Sequence, residues 1–155
     1  MTFQQRKEAF IQLGHFLQNA ANNAHKAIVE AYLYNQWFTE ESQRMALQAW
    51  ADALTEQKIN DWTAKYDFEN PQNSKTVAII MAGNIPLVGF HDFISVLISG
   101  HNVIVKQSSN DKHLLPYLAK YLEHIEENFK GKITFTEEDD SLVINSIDFL
   151  LPPSI

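Results

Sequence analysis

Two polar side chains lie where the sequence predicts strand ends, and both are able to take part in chemistry. Asn84 follows a short apolar run rich in β-branched residues at 76–81, and its amide could donate a hydrogen bond to a developing oxyanion. Lys106 closes a second run of this kind at 102–106, and its ammonium could bond a ribose hydroxyl or a 2′-phosphate. Asparagine is also a common turn residue, and a solvated lysine often ends a strand, so the ordinary explanations stay open.

The stretch between these two side chains has the pattern of a βαβ unit. A mostly apolar segment of helical length, residues 87–99, separates the two β-rich runs. Both runs are apolar almost throughout, as expected of parallel strands covered by helices on both faces. The helix is apolar around most of its circumference, which predicts burial against more than the sheet alone. Gly100 follows its last turn, where a left-handed C-terminal cap belongs.

The chain beyond Lys106 continues the alternation of helices and strands. Capping residues at 108–111 precede a predicted helix with an apolar face at 114–125, whose first turn contains Pro116. Residues 133–135 predict a third strand. The acidic residues at 137–140 are interpreted as the solvated first turn of a short helix, and residues 147–151 predict a fourth strand. The order implies a parallel sheet with right-handed crossovers.

The part of the chain before the sheet is predicted to be helical. Thr2, Thr39 and Thr55 are candidate N-caps for helices that carry apolar stripes, and a further helix is expected to end near Asn35. The aromatic residues here are expected in the core, since no basic residues interleave with them as a single-strand nucleic-acid platform requires. The predicted organisation is a helical region at 1–70 and a partial nucleotide-binding βαβ region at 75–155, packed as one compact domain.

Composition narrows the class of protein. The 155 residues are 45% hydrophobic, enough for one domain with a real core. A net charge of -7 disfavours a general affinity for nucleic acid. The sequence predicts neither a membrane span nor a secretory signal, and the expected location is the cytoplasm. Zero cysteines exclude disulfides, thiolate metal sites and a cysteine nucleophile from this chain, and no metal site is predicted.

The candidate site is one edge of the predicted sheet. Ligands of parallel sheets sit at the carboxyl ends of strands, so the turn at 82–85 and the loop at 106–110 should share that edge. Residues 83–89 fit neither the dinucleotide glycine fingerprint nor a phosphate-binding P-loop. In nucleotide-binding units, however, the residue about 20 positions beyond the glycine turn, at the end of the second strand, meets the adenosine ribose. Lys106 stands at that position.

The segment IIMAGNIPLVGFHDFISVLISGHNVIVKQSSND resembles the cofactor-domain signature of the aldehyde dehydrogenase superfamily. In that signature a strand leads to an Asn-x-Pro turn, an apolar helix ends in Ala/Ser-Gly-Asn, and the next strand ends in Lys-Pro-Ser. The phrase MAGNIPLVGFHDF is more closely similar to the LuxC-type acyl-CoA reductase family, which is related to the fatty-acid reductase of bacterial luminescence. The fold implied is part of an aldehyde-dehydrogenase-like Rossmann domain.

The resemblance also implies roles for individual residues. Asn84 matches the asparagine whose amide stabilises the oxyanion of a thiohemiacetal, and Lys106 matches the lysine that binds the adenosine ribose. The superfamily often has a glutamate at the position of Ser109, where it holds both ribose hydroxyls and repels a 2′-phosphate. Its replacement by serine implies that NADPH is tolerated or preferred. The cofactor-binding positions by resemblance are Met81, Ala82, Gly83, Lys106, Ser108 and Ser109.

The family reaction reduces a fatty acyl thioester to an aldehyde through an acyl-cysteine intermediate. Since this chain has no cysteine, the resemblance implies an N-terminal fragment of an NADPH-dependent long-chain acyl-CoA reductase that is inactive alone. Pro152 and Pro153 also stand where the family has a Thr-Gly-Ser-type turn. The alternatives are a non-catalytic nucleotide-binding module and a structural, oligomerising protein. A homo-oligomer is expected, joined by the last strand, by the Pro152-Pro153 tail or by apolar faces of the N-terminal helices.

Overall fold

The first part of the chain is helical, and helices alternate with strands in the second part. The computed structural model describes residues 1–68 and 73–137. In chain order the elements are α1 (Phe3–Leu17), α2 (Ala20–Asn23), α3 (His25–Tyr34), α4 (Glu40–Ala53), α5 (Glu56–Thr63), β1 (Thr76–Ile80), α6 (Phe90–Ile98), β2 (Asn102–Lys106), α7 (Leu114–Ile125), a 3₁₀ turn (Glu127–Phe129) and β3 (Ile133–Thr136). This order confirms the predicted α/β class, with a helical layer followed by an open parallel sheet.

Several predictions fall outside the described residues. These are the short helix predicted from the acidic residues onward, the fourth strand at 147–151 and the Pro152-Pro153 tail. The composition of residues 67–74 is typical of turns and predicts a linker between the helices and the sheet, and the structure describes this linker only at 67–68 and 73–74.

Threonine N-caps begin three of the N-terminal helices, as predicted. The side chains of Thr2, Thr39 and Thr55 accept hydrogen bonds from the backbone N–H three residues on, at 3.1, 3.1 and 3.3 Å. At Thr2 the bond is reciprocal, since Gln5 accepts from the Thr2 N–H at 2.8 Å and completes a capping box. Each cap satisfies a backbone donor that the helix itself leaves unpaired, so the sequence fixes where these helices begin.

The sheet is parallel throughout and has the order β1-β2-β3. The register of the first pair runs from Thr76 opposite Asn102 to Ile80 opposite Lys106. The second pair runs from Val103 opposite Ile133 to Lys106 opposite Thr136. The carboxyl ends of all three strands therefore lie at one edge of the sheet. There the last residue of β1, Ile80, is paired with the last residue of β2, Lys106.

Burial alternates along the strands, which differs from the expectation of helices on both faces. Val77, Val103 and Val105 are buried, whereas Ile80, at the end of β1, is 68% exposed. Within residues 1–68 and 73–137 only one face of the sheet is well packed, so the prediction of two covered faces is wrong for this part of the chain. The apolar runs reflect the preference of β-branched residues for strands, which does not require burial on both sides.

Helix α6 begins later than the sequence predicts, because the chain turns at Leu87. Leu87 has a φ of 58°, in the left-handed region, and Gly89 is the N-cap before Phe90. At the other end Gly100 has the predicted left-handed conformation, with a φ of 90°. Its N–H donates to the Leu97 carbonyl, and the next residue's N–H donates to the carbonyl of Val96, at 3.0 and 3.2 Å. This pair of bonds is a Schellman motif.

Helix α7 begins at Leu114, where its predicted apolar face begins. Its N-cap is His113, which makes no side-chain capping bond, so the capping role expected of residues 108–111 is wrong. Those residues instead bond to one another within the loop, as described below. Pro116 is the third residue of the helix, where its missing N–H costs no intrahelical bond, as predicted.

One buried apolar cluster includes side chains from the helical region and from the βαβ region. Phe10 of α1 meets Phe129 edge to face at 5.9 Å between ring centroids, and Trp50 of α4 meets Phe90 of α6 at 4.9 Å. These contacts confirm that α6 is buried against more than the sheet. The prediction that the aromatic residues of the helical region lie in the core holds only in part. Phe10 and Phe38 are buried and Phe3, Phe16, Trp50 and Trp62 pack partly buried on the cluster, but Tyr32, Tyr34, Trp37 and Tyr66 are exposed, Trp37 at 89%. In the described part of the chain, no helix is both long and apolar enough to cross a membrane.

Candidate functional site

The turn after β1 and the loop after β2 lie together at the carboxyl edge of the sheet. The Met81 N–H donates to the Lys106 carbonyl at 3.0 Å, which extends the strand pairing by one bond. Further along, a Cβ atom added to Gly83 would lie 2.1 Å from Oγ and 2.5 Å from Cβ of Ser108. No side chain fits between such surfaces, so the turn packs its backbone directly against the loop.

The predicted site residues differ in exposure along this edge. Ala82, Asn84 and Ser109 are exposed, and the remaining four are partly buried: Met81, Gly83, Lys106 and Ser108. Met81 packs on the N-cap of α6, since a Cβ atom at Gly89 would lie 2.7 Å from its side chain. The backbone around the turn is therefore held on both sides, while the Asn84 side chain points to solvent.

Hydrogen bonds within the loop fix its shape. Ser108 Oγ accepts from the Asn110 N–H at 3.3 Å, and the Ser108 carbonyl accepts from the Asp111 N–H at 3.1 Å. Gln107 Nε2 donates to the Asp111 carbonyl at 3.2 Å. The helical layer also holds the loop, because Asn35 Nδ2, at the C-terminus of α3, donates to the Asn110 carbonyl at 3.2 Å. The polar residues that resemble helix caps in the sequence thus build the loop itself.

Asp111 is a site residue that the sequence analysis missed. Its side chain lies in the loop between β2 and α7, near the backbone N–H of Leu87. Its Oδ1 atom is buried and has no hydrogen-bond partner in the described structure. Burial raises the pKa of Asp111 to about 6, against the smaller lowering effects of the Leu87 hydrogen bond and of His113. In the sequence this aspartate reads only as a capping residue, so no pattern distinguishes it.

Titratable side chains from three segments surround the far end of the loop. His113 Nδ1 lies 4.0 Å from Glu30 Oε2, and its ring meets the ring of Tyr34 at 5.1 Å. His113 Nε2 is buried without a hydrogen-bond partner in the described structure. Lys112 Nζ donates to Glu137 Oε1 at 2.6 Å, and this bond raises the pKa of Lys112. The loop is thus joined to the start of the segment that follows β3.

The residues at the edge suit a phosphate-bearing nucleotide. Lys106 supplies a cation, Ser108 and Ser109 supply hydroxyl groups, and the nearest carboxylate, Asp111, is turned inward to Leu87. The one acidic residue between 81 and 110 is Asp92, in the first turn of α6. Among the described residues no group of three or more His, Asp or Glu side chains could hold a metal ion.

Two surface depressions lie away from this edge. One of about 250 Å³ lies between α1 and the end of α7, and one of about 630 Å³ lies between the α1–α2 turn and α4. Both are open, and their linings are mainly glutamine, glutamate and asparagine side chains. Neither depression contains a residue of the turn or the loop. The candidate site is therefore assigned from the residue types at the sheet edge and not from a cavity.

Comparison with known families gives a match over most of the chain. The family model described as acyl-CoA reductase (LuxC) matches residues 5–143. The matched range includes α1 except its first two residues, the helices α2–α7, all three strands, the turn and the loop. Comparisons with curated proteins and with solved structures find no match.

Proposed function

The chain belongs to the acyl-CoA reductase (LuxC) family, and from this premise we propose that the sheet edge forms part of an NADPH site. In this proposal the chain is an N-terminal portion of an NADPH-dependent long-chain acyl-CoA reductase, which reduces an acyl thioester to an aldehyde. The helical region at 1–70 and the βαβ region at 75–155 act together as one compact domain. The protein acts on small molecules, and its acidic balance disfavours nucleic acid.

The observation that carries the proposal is the direct packing of the turn on the loop. Because Gly83 leaves no space beside Ser108, Asn84 on the turn and Lys106 at the end of β2 are held on one edge by backbone contacts. Ligands of parallel sheets bind at this edge. The arrangement supports a cofactor held by the loop and an oxyanion donor, the Asn84 amide, presented by the turn.

The charges of the edge support a preference for NADPH over NADH. Lys106 is the cation at the end of β2, where a nucleotide ribose is expected, and a charged hydrogen bond to a 2′-phosphate is stronger than one to a neutral hydroxyl. Ser109 is exposed beside it and carries no charge that would repel the phosphate. In this proposal Met81, Ala82 and Gly83 contribute backbone along the cofactor, and Ser108 shapes the loop.

Binding titrations test the cofactor assignment. We expect the chain to bind NADPH more tightly than NADH, with affinities that require titration to the millimolar range. Lys106→Ala should lower the NADPH affinity about tenfold or more, because a charge-assisted bond contributes roughly 1.5–3 kcal/mol. Ser109→Glu should reverse the preference toward NADH. The control is Lys130→Ala, since Lys130 precedes β3 and lies at the opposite edge of the sheet. An unchanged preference in Lys106→Ala would remove Lys106 from the site.

The absence of cysteine predicts that the chain is inactive alone. Acyl transfer in this family requires a thiolate, and none of the 155 residues supplies one. Purified protein should therefore show no NADPH oxidation with long-chain acyl-CoA above a blank, followed by absorbance of the reduced nicotinamide. Steady turnover by pure protein would contradict this prediction. The same absence favours a second candidate function, a nucleotide-binding module without catalysis, which predicts the same binding results.

Exposed apolar residues support the further proposal that the chain forms a homo-oligomer. Leu33 is 71% exposed and Trp37 is 89% exposed, close together at the end of α3 and in the turn after it. Aromatic residues, tryptophan above all, are enriched at protein interfaces. We propose that this surface contacts a second copy of the chain.

A further inference from the structure

The end of α3 contacts the loop after β2, residues 107–113. Asn35 is the C-cap of α3, and its Nδ2 atom donates to the Asn110 carbonyl at 3.2 Å. The residue before it, Tyr34, meets the ring of His113 edge to face at 5.1 Å between ring centroids. The helical region therefore contacts this loop at two places, although 75 positions separate Asn35 from Asn110 in the sequence.

The other hydrogen bonds of Asn35 fix the direction of its side chain. Its Oδ1 atom accepts from the Trp37 N–H at 3.1 Å, and this contact orients the amide so that Nδ2 donates to Asn110. Its backbone N–H donates to the Ala31 carbonyl, and its carbonyl accepts from the Phe38 N–H, both at 2.9 Å. Phe38 is buried and anchors this turn in the interior. Because backbone and side chain are both held, the Nδ2 atom is a fixed donor.

The Asn110 carbonyl belongs to the part of the loop that contains the candidate cofactor residues. The Asn110 N–H donates to Ser108 Oγ at 3.3 Å. Ser108 in turn packs against the turn after β1, where a Cβ atom added to Gly83 would lie 2.1 Å from its Oγ atom. Ser109 lies between these two residues in the chain. Its position therefore depends on one neighbour held by Gly83 and on another held by Asn35.

Contacts of this kind matter because the tip of the loop is not held by burial. Ser109 and Asn110 are both exposed, and exposed loops are the more mobile parts of a fold. A loop that becomes ordered only when its ligand binds lowers the affinity by the free energy of ordering, whereas a loop held beforehand does not. A donor that holds the loop can therefore raise affinity without touching the ligand.

We propose that Asn35 is a positioning residue, whose Nδ2 atom holds the Asn110 carbonyl and thereby keeps Ser109 in the place that receives the cofactor. The helical region thus contributes to the site through α3, although it supplies none of the residues assigned to bind the cofactor. That the ligand is a nicotinamide nucleotide rests on the proposed function, whereas the contact between Asn35 and Asn110 does not.

The substitution Asn35→Asp separates the two bonds of the amide. A carboxylate still accepts from the Trp37 N–H but cannot donate to the Asn110 carbonyl. In nuclear magnetic resonance of ¹⁵N-labelled protein, the backbone amide signals of residues 108–111 should shift and their order parameters should fall. The Trp37 amide should stay as protected from hydrogen exchange as in wild type. Asn35→Ala removes both bonds, so it should change the loop signals and also lower the protection of Trp37.

Nucleotide titration supplies a second readout. A loosened loop should weaken NADPH and NADH by the same factor, about twofold to tenfold, in Asn35→Asp and in the neutral Asn35→Ala. Repulsion by the new carboxylate would instead weaken NADPH alone and spare Asn35→Ala, and that result would overturn the inference. The free energy of unfolding, measured with urea, should change little in Asn35→Asp, because the released carbonyl is exposed and can bond to water.

The matched control is Asn22→Asp in α2, which adds the same charge and removes an amide donor bond of the same length, 3.2 Å to Asn19 Oδ1. It should leave the loop signals and both affinities unchanged. Loop signals in Asn35→Asp that match those of wild type would contradict the inference, even if Asn35→Ala fails to fold. Changed loop signals with unchanged affinities would reduce Asn35 to a structural residue. Failure of the wild-type chain to bind either nucleotide would count against the proposed function, and the loop signals alone would then decide whether Asn35 holds the loop.

Discussion

At neutral pH the Asp111 carboxylate is ionised although its Oδ1 atom is buried and has no hydrogen-bond partner in the described structure. Its pKa in the folded chain is raised from 3.8 to about 6, so between these values the folded state binds a proton that the unfolded state releases. Stability from this group is therefore present at low pH and is lost as the pH rises through that window. Ionisation of Asp111 therefore lowers the free energy of unfolding.

Asp111→Asn should make this cost visible as a pH-dependent difference in the free energy of unfolding. Relative to wild type, the variant should gain on the order of 2 kcal/mol between pH 4.5 and pH 7.5, because it has no carboxylate to ionise in the folded chain. Urea unfolding of both proteins at the two pH values measures the difference. Since an amide substitution adds a roughly constant offset, the change with pH is the quantity that counts. A difference that stays constant would mean that Asp111 is not appreciably desolvated.

The residue types at the strand ends could be predicted from the sequence, but the contacts that their loops make in the folded chain could not. Asn84 and Lys106 could be placed at one sheet edge because two β-rich runs flank a helical segment of the right length. Asp111 could not be recognised, because the burial of its Oδ1 atom depends on how the loop packs in the folded chain, which no local pattern contains. The assigned roles of Asn84 and Lys106 stay predictions.

The N-terminal helical layer depends on a close approach between α1 and α4. Gly14 of α1 is buried, and a Cβ atom added there would lie 2.3 Å from the Leu54 carbonyl oxygen and 2.9 Å from its Cβ. These are backbone and stem atoms, which cannot turn aside as a long side chain can. The helix gives up the better intrinsic propensity of alanine, roughly 1 kcal/mol, to pack this closely.

Gly14→Ala should therefore destabilise the chain, although alanine is the better helix former. We expect a net loss of about 1–3 kcal/mol in the free energy of unfolding, because overpacking at a backbone contact exceeds the gain in propensity. Chemical denaturation measures it, with Gln12→Ala on the exposed side of α1 as the control. Gln12→Ala should leave the free energy of unfolding nearly unchanged. Stabilisation by Gly14→Ala would show that α1 and α4 can move apart without cost.

At the scale of elements, the sequence predicted existence and type better than boundaries. Threonine caps and the left-handed Gly100 were recognisable because each acts within a few residues of its own position. The late start of α6 could not be recognised, because apolar residues continue from Leu87 through the turn into the helix and nothing in the pattern marks Phe90 as its first residue. The partly exposed face of the sheet was missed because β-branched residues look alike in strands buried on one side or on two.

At the scale of the molecule, exposed apolar side chains of the described residues include two groups that are each close together in the sequence. One surface lies at the end of β1, where Ile80 is 68% exposed and Ile85 is 53% exposed. The other lies at the end of α3 and includes Leu33, Tyr34 and Trp37, which are all more than half exposed. Single exposed apolar residues are ordinary, but a tryptophan at 89% exposure four positions after a leucine at 71% is typical of residues at the centre of an interface.

Light scattering across a concentration series should therefore detect a homodimer or a larger oligomer. The double substitution Leu33→Ser with Trp37→Ser should shift the chain toward a monomer of 17.8 kDa, because it removes apolar area that association would bury. Met45→Ser is the matched control, since Met45 is 67% exposed on α4 and lies outside this surface. Two results would contradict the assignment in different ways. A monomeric wild-type chain at the highest concentration would remove the oligomer altogether, whereas an oligomer that survives the double substitution would move the contact to another surface, such as the one that contains Ile80.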